Sequence, residues 1–95
     1  MSLSAEDIEK INRSYPLMQR FDLGTKISTG TLDLDPEHAE TVNRMTPLFA
    51  RFKIGDLLAN QQKFSSYTDE EKEQLNKMCP IFRTYNLGTM IMDLA

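Results

Sequence analysis

Asn76-Lys77-Met78-Cys79-Pro80-Ile81-Phe82-Arg83-Thr84-Tyr85-Asn86-Leu87-Gly88-Thr89-Met90-Ile91 has two earlier versions in the chain, Asn12 to Ile27 and Asn43 to Leu58. Each opens on Asn, has Arg or Lys second, Pro fifth, an aromatic tenth and Gly thirteenth, and follows the Gly with Thr or Asp. Outward from this stretch, Ser4, Asp35 and Thr68 lie eight places before the three Asn residues. These are favoured helix N-caps, because a side-chain oxygen can accept the free amide hydrogens of a first turn. Pro36 follows Asp35 at the first helical position, where its missing donor costs nothing. Thr68 with Glu71 has the spacing of a capping box. Glu6, Asp7, Glu37, Glu70 and Glu71 place acid in first turns, where the helix dipole favours it. Three helix starts recur at a spacing of about 32 residues, the mark of stacked units that cannot bury their apolar faces alone.

The first helix of each unit carries apolar residues at helical spacing: Ile8, Ile11 and Tyr15; Ala39, Val42 and Thr46; Leu75 and Cys79. Pro16, Pro47 and Pro80 then remove an amide donor and disfavour helical geometry in the preceding residue. A break with Pro opening a second helix is favoured over a kinked continuous helix, and Asn12, Asn43 and Asn76 are placed to serve the carbonyl that each proline leaves free. Gly24, Gly55 and Gly88 have the position of left-handed residues that end the second helices, after which Thr25, Asp56 and Thr89 can cap a further turn. Leu57 to Phe64 reads as a third helix, whereas Ile27 to Leu34 reads as an extended connector, and the last unit is cut short at Ala95. Leu17, Met18, Phe21, Leu23, Leu48, Phe49, Phe52, Ile54, Ile81, Phe82, Tyr85 and Leu87 are expected to form most of the core. The expected fold is all-α: three helix-turn-helix repeats, 4–34, 35–67 and 68–95, packed as a compact bundle or short solenoid within one domain spanning 1–95.

Ninety-five residues suffice for one modest core and not for two independent domains. A formal charge of −3 and a pI near 5.0 argue against a sequence-independent nucleic-acid binder, which depends on clustered Lys and Arg. The single cysteine, Cys79, cannot form an intramolecular disulfide, which suits a reducing compartment and makes cytoplasmic residence the expectation. Met1 to Asp7 has neither a basic nor an apolar leader region, and no apolar run reaches the ~18 residues needed to span a bilayer.

Chemistry is sparse. His38, the sole histidine, stands in a first turn where the other units have Asp7 and Glu71, and no second His or Cys lies at ligand spacing, so no metal or other cofactor is expected. Cys79 takes the place of Tyr15 and Thr46 and reads as a small core hydrophobe. The carboxylates are accounted for by caps, and no phosphate-binding or nucleophile motif is present, so the chain is not expected to be an enzyme. Arg13 with Arg20, Arg44 with Arg51, and Lys77 with Arg83 would each share a face of a continuous helix. Together they are candidates to line an anion site gathered in an oligomer, although service to the helix dipole and to neighbouring acids is the simpler reading. Met90, Ile91, Met92 and Leu94 would be exposed without a partner and are the candidate self-association residues.

The pattern Asn-Lys/Arg-x-x-Pro-Leu/Ile followed by Leu-Gly-Thr/Asp-x-Ile resembles stretches of small bacteriophage-encoded structural or accessory proteins, over about sixteen residues per copy. The resemblance implies a virion assembly part or a small host-defence antagonist, located in the host cytoplasm or the virion. The leading expectation is therefore a non-catalytic helical-repeat assembly protein acting as a homo-oligomer or with a protein partner, away from membranes and nucleic acid. The alternative is a binder of a small, nucleotide-like anion.

Overall fold

Ser4, Asp35 and Thr68 do begin helices. The computed structural model describes residues 3–61 and 66–95. In it, α1 (Ala5–Asn12), α4 (Pro36–Asn43) and α7 (Asp69–Asn76) each start on one of these caps. Ser4 Oγ accepts the Asp7 amide at 3.1 Å and the Asp7 carboxylate accepts the Ser4 amide at 3.3 Å. Thr68 and Glu71 make the same reciprocal pair at 3.1 and 2.9 Å, and Asp35 accepts from the Glu37 amide at 3.0 Å.

The prolines break the helices. Tyr15, Thr46 and Cys79 are extended, with φ of −143°, −145° and −158°, as steric conflict with the following proline ring favours. Each proline is the first residue of a second helix: α2 (Pro16–Arg20), α5 (Pro47–Phe52) and α8 (Pro80–Tyr85).

The role expected of the glycines belongs to other residues. The left-handed corners after the second helices are Asp22, Lys53 and Asn86, with φ of 53°, 53° and 52°. Gly24, Gly55 and Gly88 come two residues later, buried in the first turn of third helices α3 (Leu23–Thr29), α6 (Ile54–Leu58) and α9 (Leu87–Met92). They are required by proximity: a Cβ at Gly55 would lie 2.0 Å from the Ala39 carbonyl oxygen, and one at Gly88 2.6 Å from that of Lys72. The third helix thus crosses the first in backbone contact, which only glycine permits.

Two expected element boundaries also move. Ile27–Thr29, read as connector, completes α3, and Gly30 ends it with φ of 71°. The helix expected from Leu57 begins earlier, at Ile54, and ends at Leu58, where the Asn60 and Gln61 amides fold back on the carbonyls of Leu57 and Asp56. Residues 62–64 of that expectation lie outside the described residues. α9 spans 6 residues against 5 for α6, so the final helix, expected to be cut short, is the longer of the two.

Among the described residues, the regular structure is entirely helical. The Cα radius of gyration, 11.8 Å, is close to the ~12 Å expected of a compact chain of this length. The core includes seven of the twelve residues expected to dominate it: Met18, Leu23, Phe49, Phe52, Ile54, Phe82 and Leu87. Leu17, Phe21, Leu48, Ile81 and Tyr85 are half-buried, and Ile11, Val42, Leu58 and Leu75 take fully buried places. The C-terminal residues read as exposed are partly core too: Ile91 and Met92 are 0% and 1% exposed, leaving Met90 and Leu94 half-buried. No described helix is long and apolar enough to cross a membrane.

Candidate functional site

The repeated asparagines fasten the helices to one another. Asn12 Oδ1 accepts the Gly24 amide at 2.7 Å while its Nδ2 donates to Asp22 at 2.7 Å. Asn43 accepts the Gly55 amide at 2.5 Å. Asn76 accepts the Thr89 amide at 3.1 Å and donates to Thr89 Oγ1 at 3.0 Å. These side chains, expected to serve the carbonyls that the prolines leave free, instead tie the end of each first helix to the start of a third helix, where amides lack intrahelical partners.

The six candidate anion-binding cations are held by local partners. Arg13 pairs with Glu9, and Arg44 with Glu40 at 3.0 Å. Lys77 and Arg83 share Glu73, at 3.9 and 3.1 Å. Arg20 and Arg51 lie over the rings of Phe21 and Phe52, 5.2 and 5.6 Å from their centroids. The breaks at Pro16, Pro47 and Pro80 remove the continuous helix on which each pair was to share a face. His38 is half-buried with its ring centroid 4.7 Å from that of Phe21. Among the described residues, no group of three His, Cys, Asp or Glu side chains could hold a metal ion.

A different feature gathers chemistry. Where the end of α1 meets the start of α8, an open-sided cleft of about 420 Å³ is lined by Lys10, Arg13, Ser14, Tyr15, Cys79, Pro80 and Ile81. The two extended residues before Pro16 and Pro80 bring Tyr15 and Cys79 to the same cleft. Burial and a hydrogen bond with Cys79 raise the Tyr15 phenol above its ordinary value of 10.0, so it stays neutral through the physiological range. Ser14 Oγ donates to the Ile11 carbonyl at 2.6 Å, inside its own helix end. Tyr15, Cys79 and Ile81 therefore present a mainly apolar wall, half-buried, with Lys10 and Arg13 as charged lining residues.

Another contact joins the same two parts of the chain. The Tyr85 hydroxyl donates to Asp7 Oδ1 at 2.8 Å, across 78 positions of sequence. That hydrogen bond, with the one from Ser4, holds the Asp7 carboxyl below its ordinary 3.8. Of the cleft, sequence reasoning singled out Arg13 as a binding candidate and Cys79 as a core residue. Tyr15 and Ile81 were read as apolar residues and Pro80 as a helix break, Lys10 and Ser14 were not singled out, and the seven were not seen as a set because they meet only through packing of the first helix on the eighth.

Comparison with known protein families, curated proteins and solved structures found no match.

Proposed function

We propose that the chain is a non-catalytic interaction protein, built as three related helical units closed on themselves, which docks a protein partner in the cleft between the first and the last. The observation that carries this reading is the half-buried apolar wall of Tyr15, Cys79 and Ile81, left uncovered in a cleft of about 420 Å³. Small-molecule sites bury roughly 70 to 90% of their ligand, which an open-sided cleft does not, whereas an apolar patch edged by charge suits the side chains of a partner.

Closed packing of the units is supported by the contacts of the tenth residue in each repeated stretch. Phe21 stacks on His38 of the following unit, and Phe52 meets Tyr67, next to the following cap, at 5.9 Å between centroids. Tyr85 returns to Asp7 of the first unit, a closing contact that an open solenoid lacks. The seventh residues, Met18, Phe49 and Phe82, are all fully buried in one core, with Phe49 and Phe82 centroids 6.0 Å apart.

Photo-crosslinking tests the docking reading. A benzophenone amino acid replacing Ile81 should give a protein adduct in the native cell, and the same group replacing the exposed Glu37 should not. Absence of an adduct from position 81, or equal adducts from both positions, refutes it.

A further inference from the structure

The third residue of the repeated stretch is Met45 in the second version and Met78 in the last, but Ser14 in the first. Both methionines are half-buried and pack against the core. Met78 reaches the pre-proline residue of the preceding unit, where its sulfur accepts the Thr46 hydroxyl at 3.2 Å. The corresponding pair at the closing seam is Ser14 and Cys79, and both line the cleft. Serine is too short to make this crossing, and its hydroxyl is turned back to the Ile11 carbonyl. The seam is therefore open where its counterpart is covered by a methionine of the same chain.

We infer that the cleft is a methionine seat vacated by the chain itself, which takes an unbranched apolar side chain, methionine above all, from an acidic segment of a partner protein. The inference rests on the docking reading given above. A flexible, polarizable thioether conforms to an irregular wall without demanding a fixed shape, as Met78 does beside Thr46. The acidic setting follows from charge: the chain carries −3 overall, yet Lys10 and Arg13 both line this cleft. Among the described residues Lys10 forms no ion pair, and the pairing of Arg13 with Glu9 is exposed and readily exchanged for a partner's carboxylate. Two cations beside an apolar wall are too few for a phosphate backbone, whose binding needs many neutralised charges.

The test is an NMR titration of the full isotope-labelled chain with three short peptides: one methionine flanked by glutamates, the same methionine flanked by lysines, and glycine between glutamates. The glutamate-flanked methionine peptide should shift the amides of residues 10–15 and 79–81 and bind at least tenfold more tightly than either control. Ser14→Met should raise the melting temperature and weaken that peptide at least tenfold, while Glu37→Ala, on an exposed residue outside the cleft lining, leaves affinity unchanged. Lys10→Glu, on an exposed side chain, should weaken it similarly and keeps the inference testable if Ser14→Met does not fold. Undiminished binding to Ser14→Met overturns the methionine seat. Equal binding of the lysine-flanked peptide at the same amides overturns the acidic partner but leaves docking standing, as does competition by an oligonucleotide of equal charge. Failure of all three peptides overturns the inference alone if position 81 still crosslinks, and with it the docking reading if it does not. A wild-type dimer returned to monomer by Ser14→Met overturns a separate partner in favour of a second copy.

Discussion

Gly55→Ala puts the crossing of third on first helices to its most demanding test. The added Cβ would lie 2.0 Å from the Ala39 carbonyl oxygen and 2.7 Å from Asn43 Oδ1. A carbon normally approaches a carbonyl oxygen no closer than about 3.3 Å, so α6 must move away from α4 by more than an ångström. Overpacking of this kind costs roughly 1 to 3 kcal/mol. The same movement breaks the 2.5 Å bond from the Gly55 amide to Asn43, worth a further ~1 to 3 kcal/mol if the groups remain buried. Alanine's better helix propensity returns about 0.5 to 1 kcal/mol. The net expectation is a loss of about 3 kcal/mol, from a total of roughly 5 to 14 kcal/mol for a chain of this size. Urea denaturation followed by far-ultraviolet circular dichroism should show the midpoint falling by about 2 M, for a slope of ~1.5 kcal/mol/M. Gly24→Ala should fall less, because its nearest obstacle is the Asn12 side chain at 2.6 Å and the Ile8 carbonyl stands at 3.0 Å. Gly30→Ala meets only Leu94 at 3.5 Å and bears mainly the strain of its φ of 71°, about 1 kcal/mol. A midpoint change below ~0.5 M for Gly55→Ala, or a larger one for Gly30→Ala, would refute the argument from backbone proximity.

Two titrations probe side-chain contacts between separate parts of the chain. Asp7 has a folded pKa below its ordinary 3.8, set first by Tyr85, so its contribution is present above 3.8 and is lost as the pH falls through the lower folded value. The loss of urea resistance below about pH 4 should be smaller in Tyr85→Phe than in the wild type, and equal losses would contradict it. Tyr67, whose phenol donates to the Phe52 carbonyl at 2.7 Å, is pushed up to about 12, first by burial and then by the charges of Glu71 and Asp56. Its contribution is complete below pH 10 and disappears as the pH rises towards 12. An ultraviolet titration should show the latest phenol ionisation vanish in Tyr67→Phe; persistence of that step would assign it elsewhere.

What sequence revealed was decided within a few neighbouring residues. Ser4 with Asp7 and Thr68 with Glu71 are local devices, and the prolines act on the residue immediately before them, so helix starts and breaks could be read directly. Gly24, Gly55 and Gly88 were placed correctly as special positions but given the wrong reason. Their need arises from the Ile8, Ala39 and Lys72 carbonyls, sixteen residues away, and no pattern in a single helix announces that crossing. The left-handed corners fall on Asp22, Lys53 and Asn86, and a lysine carries no local signal for such a backbone. At the cleft, the serine standing where two methionines recur was visible in the sequence. Its meaning was not, because the missing side chain matters only once Cys79 and Ile81 are packed opposite.

The spacing of the tertiary hydrogen bonds sets an order of assembly. Each Asn closes a loop of only 12 or 13 residues when it binds the third helix, whereas Tyr85 and Asp7 close one of 78. The longer closure carries an added entropic cost of about 1.7 kcal/mol. The pairs α1 with α3, α4 with α6 and α7 with α9 can therefore come together before the chain ends meet. The seam bearing the cleft is then the last surface to form during folding.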